Sequence, residues 1–209
     1  QSGEHFVAPE VMMVYSEQGL GEMSRNYHAL IQEHICRGKY KKARRPVLIN
    51  NWEGTYFDFT SEKLASIAKD ASELGIEMFV MDDGWFGVRN DDYAGLGDWF
   101  VNTDKIQGGL KKLVDEVNSY GMKFGIWFEP EMVNEDSDLY RAHPDWCLKT
   151  PTREGNRSRF QYVLDMSRQD VRDYLYESIT EVLKEANIEY IKWDMNRHLT
   201  NVHFLFYFF

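Results

Sequence analysis

From Arg45 onward, short uninterrupted apolar runs alternate with longer segments whose apolar residues recur every three or four positions. The runs are Pro46-Val47-Leu48-Ile49-Asn50, then residues 76–81, 122–128 and 188–193, each of strand length and apolar on both faces. Three helical patterns lie between them. Leu64, Ile67, Ala68, Ala71 and Leu74 make the first stripe, with Thr60 or Ser61 as its cap and Gly75 as its end. Leu110, Leu113, Val114 and Val117 make the second, closed by Gly121. Val171, Leu175, Ile179, Val182 and Leu183 make the third. Ser167 with Asp170 has the form of a capping box at its start, and Asn187 takes the glycine's place at its end.

Doubly apolar strands joined by helices with a single apolar stripe describe a parallel α/β arrangement. Both a barrel and an open sheet satisfy that pattern. An open nucleotide-binding sheet would usually carry a glycine-rich phosphate loop after its first strand, and Asn51-Trp52-Glu53-Gly54-Thr55 is not one. The expectation is therefore a partial (β/α)₈ TIM barrel. Four βα units are half of such a barrel, so residues 45–209 read as its N-terminal half. Residues 1–44 fall outside the repeat: 6–15 reads as a strand and 22–36 as a helix, ahead of the basic stretch 37–45. They are expected to be the end of a preceding domain with its connecting helix. Segment 134–161, rich in Arg, Pro and Asp, is longer than ordinary βα loops and is expected over the barrel mouth.

An apolar fraction of 43% and an aromatic fraction of 15% exclude disorder. The net charge of −10 repels phosphate backbones and anionic bilayers, which argues against nucleic-acid and membrane-surface partners. No apolar run approaches the roughly 18 residues a membrane span needs. Cys36 and Cys147 form neither a disulfide framework nor a metal spacing. A first residue of Gln1 and an aromatic cluster over residues 203–209 suggest a piece of a longer protein, for which cytoplasmic placement is the expectation.

In a barrel, chemistry gathers at the C-terminal ends of the strands. Here those ends read Asn50-Asn51-Trp52-Glu53, Asp82-Asp83-Gly84-Trp85, Trp127-Phe128-Glu129-Pro130-Glu131 and Lys192-Trp193-Asp194-Met195-Asn196-Arg197. A lone Asp after a strand is most often a turn or cap residue. A repeated pairing of carboxylate with indole instead suits a sugar, whose C–H faces lie on aromatic rings while its hydroxyls need fixed acceptors. Trp52, Trp85 and Trp99 fall in predicted loops beside Gly and Asp, where they can line a pocket. Strand alternation sets Lys192 and Asp194 on one side, toward the barrel axis, with Trp193 outward against helices. The ammonium then favours an ionised Asp194, as a nucleophile requires, although a buried structural ion pair reads the same way. A different class also fits the strand ends: a metal-dependent isomerase or lyase with Asp82, Glu129 and Asp194 as ligands.

At these residues the chain resembles the α-galactosidases of glycoside hydrolase family 36. The matching motifs are Asn51-Trp52-Glu53, Met81-Asp82-Asp83-Gly84-Trp85-Phe86-Gly87, Gly97-Asp98-Trp99, Trp127-Phe128-Glu129-Pro130-Glu131-Met132, Arg159 with Gln161-Tyr162-Val163-Leu164-Asp165, and Lys192-Trp193-Asp194-Met195-Asn196. Gly3-Glu4-His5-Phe6 and Ala8-Pro9-Glu10 resemble the end of that family's N-terminal β-sandwich domain. The resemblance implies a retaining glycosidase without a cofactor or metal, acting on α-galactosides of the melibiose and raffinose type in a homo-oligomeric parent. Asp194 is similar to the nucleophile, Asp82 and Asp83 to acceptors for outer galactose hydroxyls, and Lys192, Arg159 and Asn196 to further sugar contacts. Trp52 and Trp99 look like pocket walls. The general acid/base of the family lies on a later strand, past the end of this chain. From His198 onward the sequence departs from the family pattern, and a non-catalytic sugar-binding fragment is the third reading.

Overall fold

A computed structural model describes residues 3, 5, 7–150 and 152–199, and the aromatic cluster at 203–209 lies outside them. The chain divides into two compact units, residues 1–45 and 46–209.

In the first unit, helix α1 (Leu20–Leu30) runs into a π-helical turn, Ile31–Ile35, so the helix expected over 22–36 is present. The strand expected over 6–15 is not: residues 7–15 carry no strand, and Val7, Val11, Met13 and Tyr15 are all exposed. An alternating sequence forms a strand only when another strand takes up its backbone groups, and here none does among the described residues.

The second unit opens with β1 (Leu48–Asn50), a single turn α2 (Trp52–Thr55), α3 (Ser61–Glu73) and β2 (Met78–Met81). It continues with α4 (Gly109–Ser119), β3 (Lys123–Phe128), β4 (Met132–Asn134), α5 (Asp138–Ala142), β5 (Gln161–Val163), α6 (Gln169–Glu185) and β6 (Tyr190–Trp193). The main sheet has the order β1-β2-β3-β6, every pair parallel. These four parallel strands, with α3, α4 and α6 between them, form part of a (β/α)₈ barrel.

The helix stripes bury with one exception: Leu64, Ala68, Leu110, Leu113, Val114, Val117, Val171, Leu175 and Val182 all lie in the core, whereas Leu74, at the C-cap of α3 and past its last turn, is 83% exposed. Thr60 caps α3 by accepting from the Lys63 amide, and Gly75 and Gly121 close their helices at φ +82° and +78°. Two terminal signals of α6 fail. The Ser167 hydroxyl is spent on Asp165 at 2.6 Å, so Arg168 stands at the N-cap without a side-chain bond. Asn187 does not adopt the left-handed conformation; its amide donates instead to Asn118 at 3.0 Å.

Segment 134–161 is not a bare loop. It holds α5 and the turn of an antiparallel hairpin, in which Met132 faces Val163 and Asn134 faces Gln161. Asp98 docks α5 by accepting from the Asp138 and Leu139 amides at 2.9 and 3.0 Å, the anion stabilising the free donors of a helix start.

Candidate active site

Parallel register brings the four strand ends to one edge. Asn50 is opposite Val80, two residues before Asp82, and Trp127 is opposite Lys192, two residues before Asp194. A continuous polar chain crosses that edge. Asn50 Nδ2 donates to Asp82 Oδ2 at 2.5 Å, and Lys192 Nζ reaches the same oxygen at 2.8 Å. Lys192 Nζ also lies 3.9 Å from Asp194 Oδ2, and the Trp127 indole donates to that Asp194 oxygen at 3.0 Å. Asp82, Lys192 and Asp194 are thus together, but the tighter partner of the ammonium is Asp82.

Asp82 is buried and also accepts from the Asp83 amide at 2.9 Å, while Asn51 Oδ1 takes the Asp82 amide at 2.8 Å. The two asparagines at the end of β1, Asn50 and Asn51, therefore orient a carboxylate after β2. About one of the roughly four acceptor positions of Asp82 stays free for a hydroxyl. Burial would raise the Asp194 carboxyl. Donors from Trp127, the Asn196 side chain and the Met195 amide, with the Lys192 charge behind them, outweigh it and hold the group below the ordinary carboxylate value. That direction is the one an ionised Asp194 needs, with the indole contributing more than the ammonium. For Lys192, burial pulls the ammonium down, but Asp82 and then Asp194 reverse this and hold it above its ordinary value.

Asp83 is buried against Arg89, itself 1% exposed, whose Nε and Nη2 reach Asp83 at 3.0 and 2.8 Å. Burial pushes the Asp83 carboxyl up against the pull of that guanidinium. The backbone N–H of Asn196 donates to Glu129 Oε1 at 2.5 Å, and Gln161 Nε2 donates to the same carboxylate at 3.1 Å. Burial raises Glu129 although the Asn196 amide opposes it. Arg159 is exposed in the hairpin turn, 3.9 Å from Asp92, and is not joined to the Asp82–Lys192–Asp194 chain by any direct bond among those described.

The tryptophans sort differently from expectation. Trp52, partly exposed, packs edge-on against Tyr56 and Phe57 at the strand ends. Trp85 and Trp99 do not line an open face: they are 0% and 4% exposed within a cluster with Phe86, Trp127 and Phe128. Tertiary packing covers them although glycine and aspartate flank them. Trp193 is 51% exposed rather than packed on helices, and its indole donates to Glu131 at 3.1 Å. It stands on β6, which has one described neighbour in the sheet.

The sequence marks the strand ends that hold Asn50 and Trp127 but not the contacts they make, and it marks neither Arg89 nor Lys105, whose ammonium donates to the carbonyls of Phe57, Gly84 and Arg89. Each of these contacts crosses strands or loops, so no local spacing marks it. A cavity of about 730 Å³ lies beside Glu135, Tyr140, Arg153, Arg157 and Tyr162, and no predicted site residue lines it. Among the described residues no three His, Cys, Asp or Glu side chains are grouped to hold a metal, so the isomerase or lyase reading lacks its ligand set. No described helix is long and apolar enough to cross a membrane.

The site is thus a row of carboxylates banked along the C-terminal edge of a parallel barrel sheet, with indole, amide and ammonium donors aimed at Asp194. The chain belongs to the melibiase family, whose model matches residues 5–205. Alpha-galactosidase AgaA of Geobacillus stearothermophilus is 56% identical over 97% of this chain and 28% of its own length. The bifunctional alpha-galactosidase/sucrose kinase AgaSK of Mediterraneibacter gnavus is 54% identical over 97% of this chain and 22% of its own length. The crystal structure of the GH36 alpha-galactosidase AgaB from Geobacillus stearothermophilus superposes with a TM-score of 0.87 and 57% identity, covering 90% of this chain and 26% of that one. The chain thus spans between a fifth and a third of these relatives.

Proposed function

We propose that the protein carrying this chain is a retaining α-galactosidase in which Asp194 is the nucleophile. Residues 1–44 then end a β-sandwich domain and 45–209 form the first half of the catalytic barrel. The observation that carries the reading is Asp194 itself: a strand-end carboxylate that accepts from the Trp127 indole at 3.0 Å and the Met195 amide at 3.1 Å, with the Lys192 ammonium 3.9 Å away. An ionised oxygen attacks the anomeric carbon as the glycosidic bond breaks, an acid outside this chain protonates the leaving oxygen, and water then releases galactose with its configuration retained. Asp82, Asp83, Lys192, Arg159 and Asn196 accept or donate to galactose hydroxyls, with Trp52 assigned to the wall of that pocket and Trp99 to the aromatic cluster that backs the strand ends. AgaA variants have been crystallised with raffinose and with stachyose, which supports α-galactosides of that size as substrates.

The test replaces the matching segment of AgaA with this chain. The chimaera is expected to hydrolyse an aryl α-galactoside, and Asp194→Asn to abolish turnover while galactose still binds within a few-fold. A folded chimaera with no activity, or an Asp194→Asn form that turns over normally, overturns the assignment.

A further inference from the structure

Asn134, at the end of β4, is 0% exposed and uses every hydrogen-bonding position of its amide. Its Oδ1 accepts from Arg89 Nη1 and from the Leu96 amide, both at 2.9 Å. Its Nδ2 donates to the carbonyls of Asp92 at 3.1 Å and Phe160 at 2.9 Å. The loop after β2 and the hairpin turn after β4 therefore meet on one side chain. On the first side, Arg89 forks onto Asp83. On the other, Phe160 and its neighbour Arg159 both hold left-handed backbone, at φ +61° and +50°, a strained pair without glycine that persists only where surroundings fix it. The Tyr93 and Phe160 rings, 4.2 Å apart, close the same seam.

We propose that Asn134, acting with Arg89, is a positioning residue that fixes Asp83 and Arg159 relative to each other and so sets how tightly the galactosyl group is held. It leaves the attack by Asp194 unchanged, because none of its bonds reaches Asp194, Lys192 or Trp127. No other residue type of this size offers two acceptor and two donor positions in one plane. Aspartate loses both donors, and alanine loses all four bonds. The proposal rests on the reading that Asp83 and Arg159 contact the galactosyl group.

The test is a double-mutant cycle in the AgaA chimaera, reading KM, kcat and galactose inhibition with an aryl α-galactoside. Arg159→Ala is expected to raise KM; if it does not, the assignment of Arg159 falls, independently of Asn134. Asn134→Ala is expected to raise KM and the galactose inhibition constant about tenfold with kcat within threefold. In the Arg159→Ala background that rise should shrink at least threefold, since one of its two routes is already gone. A fall in kcat or melting temperature with KM unmoved, or full additivity, overturns the proposal. Should Asn134→Ala not fold, Arg89→Lys carries the same test, keeping a cation near Asp83 while giving up the fork; an unchanged KM there overturns it equally.

Discussion

At Asp194 the competition is between burial, which favours the neutral acid, and donors aimed at the anion. Of those donors the Trp127 indole ranks first, 3.0 Å from Oδ2. Trp127→Phe keeps an aromatic ring in the cluster while removing the N–H together with part of the buried indole. The ionised form then loses a partner, its pKa rises toward the ordinary carboxylate value, and the acid limb of kcat/KM is expected to move to higher pH. The charge this bond stabilises is consumed as the covalent bond to the sugar forms, so kcat at the optimum is expected to change less than the position of the limb. The linkage has the same sign for stability: the contribution of the ionised group is present above its unfolded value and is lost as pH falls through the lowered folded one. A pH–rate profile of the Trp127→Phe chimaera checks both, and an unmoved acid limb would show that the indole does not govern this ionisation. That Lys192 and Asp194 share a side follows from alternation within one strand and was legible in the sequence. That Trp127 faces them depends on its register opposite Lys192, which two strands decide together across more than sixty residues.

Among the elements, the loop after β2 and the β4–β5 hairpin are packed through contacts that admit little adjustment. Gly97 stands at φ +112°, and a Cβ there would meet Val133 Cγ2 at 3.0 Å and Leu139 Cδ2 at 3.1 Å, both buried. Its carbonyl also accepts from the Tyr174 hydroxyl of α6 at 2.9 Å. Gly97→Ala therefore combines left-handed strain with overpacking and is expected to cost about 3 kcal/mol. Chemical denaturation monitored by tryptophan fluorescence measures it, and a loss below about 0.5 kcal/mol would mean that α5 shifts freely. The regular elements were readable because strand and helix periods are local. The β4–β5 pair was hidden because residues 135–160 separate its strands and the tight turn into β5, between Ser158 and Gln161, uses Arg159 and Phe160 in left-handed backbone, where glycine gives the usual signal. The capping box failed for a related reason: Ser167 had a nearer competitor, Asp165, for the same hydroxyl.

At the scale of the whole chain, the parallel order was legible from doubly apolar strands, whereas the fate of the sheet edges depends on what lies against them. Among the described residues β1 and β6 each pair on one side only. Apolar side chains stand open along both edges: Val47 is 50% exposed, Leu48 42%, Tyr190 39%, Trp193 51% and Met195 44%. An uncovered strand edge of that kind is a template for another chain, and in a closed barrel these two edges would be paired. A net charge of −10 opposes association but is screened beyond roughly 10 Å at ordinary ionic strength, while strand pairing acts at contact. The 209-residue chain expressed alone is therefore expected to self-associate or enter inclusion bodies, more so as salt rises. Its hydrolysis of an aryl α-galactoside should fall far below that of the AgaA chimaera, since general acid assistance is worth about 10²- to 10⁴-fold and Asp194 supplies only the nucleophile. Size-exclusion chromatography at two salt concentrations, with the assay run on each fraction, tests both parts. A monodisperse, cooperatively melting monomer with chimaera-like turnover would show that the edges are protected and that the proton donor lies within these residues.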